Sequence, residues 1–324
     1  MERRQFLAAL GAWASAGIAG ATHAQAQSYP TGPIKIMVGF GPGSTADTMA
    51  RLVSKSIEAS LGQPVVVENR PGNSSMLAAD LVARAPKDGH TLFMGTIAQT
   101  LVPLRAKSGF DLRTDMAPVA LLGVVPNLLV AHPSVAAKDV KALIALAKAK
   151  PDAFTFGTSG AGTASHLAAE LFNLKAGTKV LAVHYQGGSN QALVDLLAGR
   201  INLMFNVAAT LAPHVEKGSL TALGVAQPKR ARQVPRVPTM DEQGLSGFDA
   251  GIWIGLLAPP GTPAPVLDRL SAIANAALKN EQVVKSLDQG GIDPLGGTPA
   301  EFAAFIRNDN TRWTEVLNKA GLIK

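Results

Sequence analysis

Short apolar runs alternate with amphipathic segments along most of the chain. Each run predicts a buried strand, and each following segment carries apolar residues at helical spacing, as Met49, Leu52, Val53 and Ile57 do. Strands separated by helices of this length predict β-α-β units with parallel pairing. The predicted strands span residues 34–38, 65–67, 91–94, 128–132, 154–157, 179–184, 201–205 and 220–225.

The same pattern predicts two sets of β-α units followed by a helical tail. Further helices are predicted over residues 76–84, 138–148, 165–174, 190–198 and 213–217, and helices beginning at 263, 281 and 299 follow the apolar run 252–258. The tail lacks a lobe of its own and must pack on one already formed. We therefore expect an α/β fold of two lobes, each a sheet flanked by helices, forming a hinged clamp around a ligand cleft. Its two interlobe crossings lie near 125–130 and 251–256, so lobe 1 is 27–125 plus 251–324 and lobe 2 is 126–250.

The N-terminal segment reads as an export signal. Arg3 and Arg4 precede an apolar, Ala- and Gly-rich stretch, and Ala24-Gln25-Ala26 fits a small-x-small cleavage pattern. We expect cleavage of residues 1–26 near Ala26 and a periplasmic mature chain. The paired arginines fit a twin-arginine signal, and an ordinary secretory signal is the alternative. The apolar stretch is shorter than the roughly 20 residues that a membrane span needs.

Composition narrows the class of function. The chain has 324 residues, a formal net charge of +7, and only 5% aromatic residues. The basic residues are scattered and not interleaved with aromatic ones, which argues against a nucleic-acid surface and favours a weak attraction for anions. With no cysteine in the sequence, disulfides, thiolate metal sites and cysteine nucleophiles are excluded. The histidines show no metal-ligand spacing, and no metal is expected.

Four predicted strand-to-helix loops share one composition, rich in glycine and hydroxyl residues. Ligands of parallel sheets bind beyond the carboxyl ends of the strands, where these loops lie. Glycine lets backbone approach a ligand, and the free N–H groups of a following helix bind anions without Lys or Arg. One such loop predicts only a helix cap, whereas four divided between two lobes favour an anion site. The loops span residues 40–45, 95–99, 157–163 and 186–190.

Two enzyme classes are alternatives to a binding protein. Gly41-x-Gly43-x-x-Ala46 follows a strand and Glu68 ends the next one, which resembles a dinucleotide fingerprint and would indicate an exported nicotinamide-cofactor oxidoreductase. Pro42 inside the turn and the export signal argue against it. The segment 157–161 misses the hydrolase nucleophile motif by its last residue, although Ser159 and His166 are neighbours in sequence.

The loops and their flanking phrases resemble the Bug (TctC-type) family, the extracytoplasmic solute receptors of tripartite tricarboxylate transporters. The similarity runs from about Tyr29 to Ile323. Each of these sequence segments alone is weak evidence for the family. The occurrence of all of them in the order found in the family makes the resemblance specific. The phrases are Glu68-Asn69-Arg70-Pro71-Gly72, Pro86-Lys87-Asp88-Gly89-His90-Thr91-Leu92, Gly160-x-Gly162-Thr163-x-Ser165-His166-Leu167, Tyr185-x-Gly187, Asp195-Leu196-Leu197-x-Gly199 and Trp253-x-Gly255-Leu256-x-Ala258-Pro259-x-Gly261-Thr262-Pro263.

The resemblance implies a two-lobed periplasmic binding protein with a type II-like clamp. It also implies that the protein is not an enzyme and has no cofactor. It implies capture of a small organic carboxylate and delivery to a transporter or a sensor protein, with the receptor itself a monomer. Two departures from the family pattern are Ser44, where a second glycine is usual, and Asn206, where Asp is common. The implied ligand-binding residues are Phe40, Gly43, Ser44, Thr45, Asp47, Thr96, Thr158, Ser159, Gly160, Thr163, His166, Gln186, Gly187 and Asn206. Among them, Asp47 in the first turn of a helix also has a purely structural interpretation, since it favours the helix dipole.

Overall fold

A computed structural model describes residues 29–105, 109–161, 163–185 and 188–323. The predicted export signal and its cleavage position, and the predicted ligand residues Gln186 and Gly187, lie outside these ranges. The chain divides into two units, Met1–Thr31 and Gly32–Lys324. In the first, only residues 29–31 are described, and they contain no helix or strand.

Strands and helices alternate through the first three quarters of the chain, as predicted. The strands are β1 (Ile34–Val38), β2 (Val65–Asn69), β3 (Thr91–Thr96), β4 (Ala117–Val125), β5 (Asn127–Ala131), β6 (Thr155–Thr158), β7 (Leu181–His184), β8 (Leu203–Val207), β9 (Thr221–Val225), β10 (Ile252–Ala258) and β11 (Asp293–Pro294). The helices are α1 (Thr45–Leu61), α2 (Met76–Ala83), α3 (Ala98–Arg105), α4 (Leu112–Asp115), α5 (Val140–Ala149), α6 (Ala164–Ala176), α7 (Gly188–Leu197), α8 (Ala208–Glu216), α9 (Ala264–Ala277), α10 (Glu281–Gln289) and α11 (Pro299–Lys319).

The strands form two sheets. The first sheet has the order β11-β4-β10-β3-β1-β2, and the second has the order β7-β6-β8-β5-β9. Pairing is parallel where helices connect the strands, as in β1 with β2 and β3, and β6 with β7 and β8. It is antiparallel for β10 against β3 and β4, and for β5 against β8 and β9. Both sheets are therefore mixed: the strands of the β-α-β units pair in parallel, as predicted, and antiparallel strands complete each sheet.

The antiparallel strands are those at which the chain changes sheet. β4 ends at Val125 in the first sheet, and β5 begins at Asn127 in the second, with Pro126 between them. The return follows β9 and enters the first sheet again at Ile252 in β10. The chain thus changes sheet twice, between Val125 and Asn127 and between Val225 and Ile252. A strand that re-enters a sheet from its far end runs against the strands built by β-α units, which explains the mixed pairing.

Close packing fixes the helical tail against the first sheet. A Cβ atom built on Gly255 of β10 would lie 2.2 Å from Phe302 Cζ of α11, so the Phe302 ring rests directly on the strand backbone. α11 also contacts β4, α3 and α6. In the second sheet, Phe156 and Phe205 stack with ring centroids 5.6 Å apart. Within the described ranges, no helix combines the length and apolarity needed to cross a bilayer.

Candidate functional site

A cavity of about 450 Å³ opens between the carboxyl ends of the two sets of strands. The turn before α1 and the loop before α3 reach it from the first sheet, and the turn before α6 reaches it from the second. Strand β10 and the ends of β4 and β8 close its floor. The lining residues are Phe40, Ser44, Thr45, Ala46, Ser74, Thr96, Ile97, Ala98, Leu101, Val102, Arg105, Val125, Ala161, Thr163, Ala164, Val207, Ile252 and Ile254.

The turn before α1 is shaped by the carboxylate of Asp47, which folds back under it. Asp47 Oδ2 accepts hydrogen bonds from the Gly43 N–H at 2.9 Å and from Arg51 Nε at 3.0 Å. Asp47 Oδ1 accepts one from Asn69 Nδ2 at 2.9 Å, and the same Asn69 amide donates to Phe40 O at 3.0 Å. Gly43 has φ +78, a left-handed conformation that glycine adopts without strain. The buried acid thus fixes the turn from below.

This arrangement keeps Asp47 charged and occupied. Burial by itself raises the pKa of the Asp47 carboxyl, but the hydrogen bonds from Arg51, Gly43 and Asn69 outweigh it and lower the pKa below its usual value. Ser44 caps α1 by accepting the Asp47 N–H at 3.2 Å. The hydrogen bonds of the described residues leave the Thr45 and Ala46 amides at the start of α1 without an acceptor. Both residues line the cavity, so this helix end has N–H groups available for an anion.

Neutral hydroxyls shape the turn before α6. Ser165 Oγ accepts the Ser159 N–H at 3.0 Å and lies 3.0 Å from Ser159 Oγ and 3.2 Å from Thr163 Oγ1. Thr163 Oγ1 donates to Gly160 O at 2.7 Å and closes the turn. Thr163 and Ala164, the first residues of the helix end, line the cavity. The second turn therefore presents a helix N-terminus without an acid beneath it.

The loop before α3 is a third polar edge of the cavity. The Thr96 N–H donates to Gln99 Oε1 at 2.9 Å, and Thr96 Oγ1 accepts the Ala98 N–H at 3.3 Å. The same helix lines the cavity with apolar residues of its first two turns and, at its end, with the exposed Arg105. Of the described lining residues, Arg105 carries the only cation, and none carries a carboxylate. The cavity therefore has polar N–H and hydroxyl edges, apolar walls and one positive charge.

The structure brings five of the predicted ligand residues to the cavity wall, namely Phe40, Ser44, Thr45, Thr96 and Thr163. The predicted residues Gly43, Ser159 and Gly160 belong to the adjoining turns and Thr158 ends β6, and none of these four lines the cavity. Asp47 is buried in its own network, as described above. Asn206 lies in β8 opposite Leu128, and its neighbour Val207 lines the cavity instead, because side chains alternate along a strand.

His166 lies behind the second turn and not in the cavity wall. It is buried, and its ring meets the His184 ring edge to face, with centroids 4.6 Å apart. Its Nε2 is 3.5 Å from Glu170 Oε1, and His184 Nδ1 lies 2.7 Å from Thr158 Oγ1. Desolvation and the neighbouring His166 lower the pKa of His184. The contacts of Ser159 with Ser165 and of His166 with Glu170 support the loop and lend no support to the hydrolase hypothesis.

Several residues that line the cavity were not predicted from the sequence. The apolar walls include Ile252 and Ile254 of β10 together with Leu101 and Val102 of α3. Only strand pairing decides which face of β10 meets the cleft, so no local pattern identified the isoleucines. Arg105 has only a weak sequence signal: it ends an apolar segment that follows one of the four loops.

Comparison with known proteins decides between the alternatives. The family model "Tripartite tricarboxylate transporter family receptor" matches residues 49–322. The chain belongs to that receptor family. It is 34% identical to protein BugT of Bordetella pertussis over 325 residues, covering 99% of each chain. The oxidoreductase alternative is not favoured, and in the structure the Glu68 carboxylate that it required is held by Lys35 at 2.8 Å and by Arg70.

Solved structures give the same answer for the fold of the receptor. It is similar to the periplasmic binding protein BugD, at 31% identity and a TM-score of 0.69, over 91% of this chain and all of that one. It is also similar to Rpa4515 of R. palustris, solved with adipate, at 33% identity and a TM-score of 0.72, over 90% of this chain and 98% of that one. The receptor therefore has the two-lobed fold of periplasmic binding proteins, which confirms the predicted fold class.

Proposed function

We propose that the chain is a periplasmic receptor that closes its two lobes on a small organic carboxylate and presents it to membrane transporter subunits or to a sensor protein. The observation that carries this proposal is the cleft itself. Two helix N-termini from different sheets meet there around apolar walls, and the described lining includes one arginine and no acid. Such a site binds negative charge and an apolar body, and binding alone accounts for every feature of it.

The proposed ligand is a mono- or dicarboxylate with an aliphatic or aromatic body, bound better than a zwitterionic amino acid. An ammonium group that leaves water needs a carboxylate or carbonyl partner. Asp47, in the first turn of α1, already accepts hydrogen bonds from Gly43, Arg51 and Asn69. A related receptor of known structure, Rpa4515, was solved with adipate, which is a ligand of the proposed class.

Arg105 supports a dicarboxylate in particular. Its side chain lines the cleft at the end of α3, and no carboxylate of the described residues lies within ion-pair distance of it. One carboxylate of the ligand would meet the helix N-termini, and the other would meet this guanidinium, which pairs with carboxylates in a bidentate geometry. The apolar residues of α3 and β10 would cover the carbon chain between them.

Three ligands of one length test the proposal by isothermal titration calorimetry. Adipate, hexanoate and 6-aminohexanoate carry a carboxylate, a methyl group and an ammonium, respectively, at the second end of the same carbon chain. We expect adipate to bind most tightly and 6-aminohexanoate least. Ligand at 100 times its Kd stabilises the protein by about 2.7 kcal/mol, so a thermal shift of several degrees should accompany adipate binding. Tightest binding of 6-aminohexanoate would refute the charge assignment.

Arg105→Gln sharpens the same experiment. Loss of a guanidinium–carboxylate contact should weaken adipate about tenfold, equivalent to about 1.4 kcal/mol. Hexanoate has no second carboxylate and should bind the variant as it binds the wild type. Arg307→Gln, an exposed arginine of α11, provides a control with the same change of charge. Equal losses for both ligands would show that Arg105 acts on the fold of α3 and not on the ligand.

The remaining parts of the proposal concern maturation and motion. We propose cleavage near Ala26, lobes of 27–125 plus 251–324 and of 126–250, and a monomeric mature receptor. The two sheets and the crossings at Pro126 and before Ile252 support the proposed lobe boundaries.

Small-angle scattering with and without adipate should show compaction, because a cleft between lobes excludes water only by closing. Identical scattering curves at saturating ligand would contradict a hinged receptor.

A further inference from the structure

A second cavity, of about 550 Å³, lies on the opposite side of β10 from the cleft. Ile252 and Ile254 of this strand face the cleft, whereas Gly251, just before the strand, and Trp253 face the second cavity. This division follows from the alternation of side chains along extended backbone. The other walls come from β4, β11, α11 and the segment after β9, so the cavity adjoins the return crossing between the sheets.

Two buried acceptors line this cavity without a donor. Gln227 and Asp293 are 3% and 8% exposed. Gln227 Nε2 donates to Asp293 Oδ2 at 3.2 Å, and Gln227 Oε1 and Asp293 Oδ1 have no close hydrogen bond among the described residues. The Gln233 side chain and the Arg232 backbone N–H lie near the Asp293 carboxylate and lower its pKa. The Gln227 amide oxygen accepts in its present orientation, and the Asp293 oxygen accepts in the ionised form of the carboxyl group. Buried acceptors in a cavity wall call for a ligand that donates hydrogen bonds.

Asp293 forms no ion pair with a described residue, although Arg232, which is paired with Asp288, lies near enough to lower its pKa. Burial raises the pKa of Asp293, against the lowering effects of Gln227, Gln233 and Arg232. Lys229 also lines the cavity, with its side chain exposed. The other charged lining residues each have a partner of opposite sign, in the pairs Arg230–Glu242 at 3.0 Å, Arg232–Asp288 at 2.8 Å and Asp249–Arg312 at 3.0 Å.

The rest of the wall is apolar and partly aromatic. Trp253 and Phe305 line the cavity together with Leu121, Val124 and Leu295. A carboxylate beside aromatic side chains suits an organic cation, which gains both a charge-assisted hydrogen bond and contact with the aromatic surface. We propose that this cavity is a second binding site, for a small organic ammonium ion with an apolar body, held by Asp293 and Gln227. The site is separate from the carboxylate cleft and does not depend on the function proposed for it.

Benzylammonium is a suitable probe, with benzyl alcohol as its neutral counterpart of the same shape. Titration of the full mature receptor at about neutral pH, where the amine is protonated, should give saturable binding with a Kd of about 1 mM or tighter. Benzyl alcohol should bind at least about tenfold more weakly. Absence of saturable benzylammonium binding, or equal affinity for the alcohol, would overturn the proposal and leave the two acceptors to ordered water.

Two variants locate the site. Asp293→Asn should weaken benzylammonium at least about tenfold, while Asp268→Asn, the same change at an exposed position of α9, should leave it unchanged. Leu295→Trp keeps the Asp293 carboxylate and places a larger side chain in the cavity, at a position that is 43% exposed. It should abolish benzylammonium binding, and it provides a test if Asp293→Asn does not fold. Unchanged affinity in Leu295→Trp would place the amine elsewhere and refute the assignment.

A cleft variant separates this proposal from the carboxylate function. Thr163→Val removes the hydroxyl that closes the turn before α6, so it should weaken adipate and leave benzylammonium binding unaltered. Loss of both ligands in this variant would contradict a separate site. Adipate binding without benzylammonium binding would refute only the second site, and the reverse would refute only the proposed carboxylate function.

Discussion

The turn before α1 and the turn before α6 enter the cleft from different sheets and differ in what holds them. The first rests on an ionised acid, since Asp47 accepts from Gly43, Arg51 and Asn69. The second rests on hydroxyls, with Ser165 at the centre. Both nevertheless direct a helix N-terminus into the same cavity. An anion site of this kind therefore depends on the exposed helix end and not on one particular support beneath it.

In the first turn, the acid that supports the backbone is not a group that binds the ligand. An acid so close to an anion site would oppose ligand binding if its charge were free. The Arg51 guanidinium, the Asn69 amide and the Gly43 N–H all donate hydrogen bonds to the Asp47 carboxylate and so compensate its charge. The hydroxyl-supported turn needs no such compensation. We therefore expect the two turns to respond differently to mutation and to pH.

The largest effect is expected for Asp47→Ala. The substitution leaves three donors without their acceptor, one of them charged, and should lower the free energy of unfolding by about 3 kcal/mol. Adipate affinity should fall with it, because the turn loses its shape. Urea unfolding and calorimetry measure the two changes. Asp139→Ala, which removes the exposed cap of α5, should cost only about 1 kcal/mol and spare the affinity. Equal costs for the two variants would contradict a special role for Asp47.

A smaller loss is expected for Ser165→Ala in the second turn. The variant removes a neutral hydroxyl shared by Ser159 and Thr163, and neutral hydrogen bonds contribute about 1 kcal/mol each. Unfolding by urea should show a loss of about 1–2 kcal/mol. Ser286→Ala, at a partly exposed serine of α10 bonded to its own helix, is the matched control and should change stability little. A loss as large as that of Asp47→Ala would remove the distinction between the turns.

Acid should separate the turns further. The folded pKa of Asp47 is lowered, so its contribution to stability is complete above the unfolded value of about 3.9 and is lost as the pH falls through the lower folded pKa. The difference in unfolding free energy between wild type and Asp47→Asn should therefore shrink as the pH falls below about 4. The corresponding difference for Ser165→Ala should stay constant. A wild-type advantage over Asp47→Asn that persists at the lowest pH would refute the network.

The smallest effect is expected at His184, behind the second turn. Desolvation and His166 lower its folded pKa, so the unfolded chain takes up the proton first as the pH falls. Its stabilising contribution is complete above the unfolded value of about 6.5 and declines below it. Wild type should lose a little stability as the pH falls below about 6.5, and His184→Gln should not show this loss. Thermal unfolding across this pH range measures the difference. An identical pH profile in the variant would show that this histidine does not titrate in that range.

Sequence patterns predicted the β-α order, both crossings and the glycine- and hydroxyl-rich edges of the cleft. They failed at β4, because Ala117–Val125 contains Pro118 and a continuous apolar run without the alternation typical of a strand. β4 is nevertheless the strand on which the first crossing depends. The tertiary pairing of β4 with β10 and β11 overrides its weak local signal.

The site was predicted where chemistry is local and missed where it depends on pairing. Ser44 and Thr163 were identifiable because a hydroxyl residue before a helix has a capping role. The hydrogen bond of Asn69 to Asp47 was not identifiable from the sequence. Asn69 lies 22 residues away and meets Asp47 only through the parallel register of β1 and β2. Whether β10 turns its isoleucines or its tryptophan to the cleft likewise depends on its neighbours in the sheet.

One carboxylate joins the two tryptophans of the described chain. Asp309 accepts Trp253 Nε1 at 2.9 Å and Trp313 Nε1 at 3.0 Å, and both indoles are buried. The third tryptophan, Trp13, lies in the predicted signal peptide. The intrinsic fluorescence of the cleaved chain would thus come from a rigid pair on the far side of β10. Ligand bound in the cleft would not change the emission of these tryptophans unless β10 itself moved. A change in tryptophan emission on ligand binding would therefore report closure of the lobes.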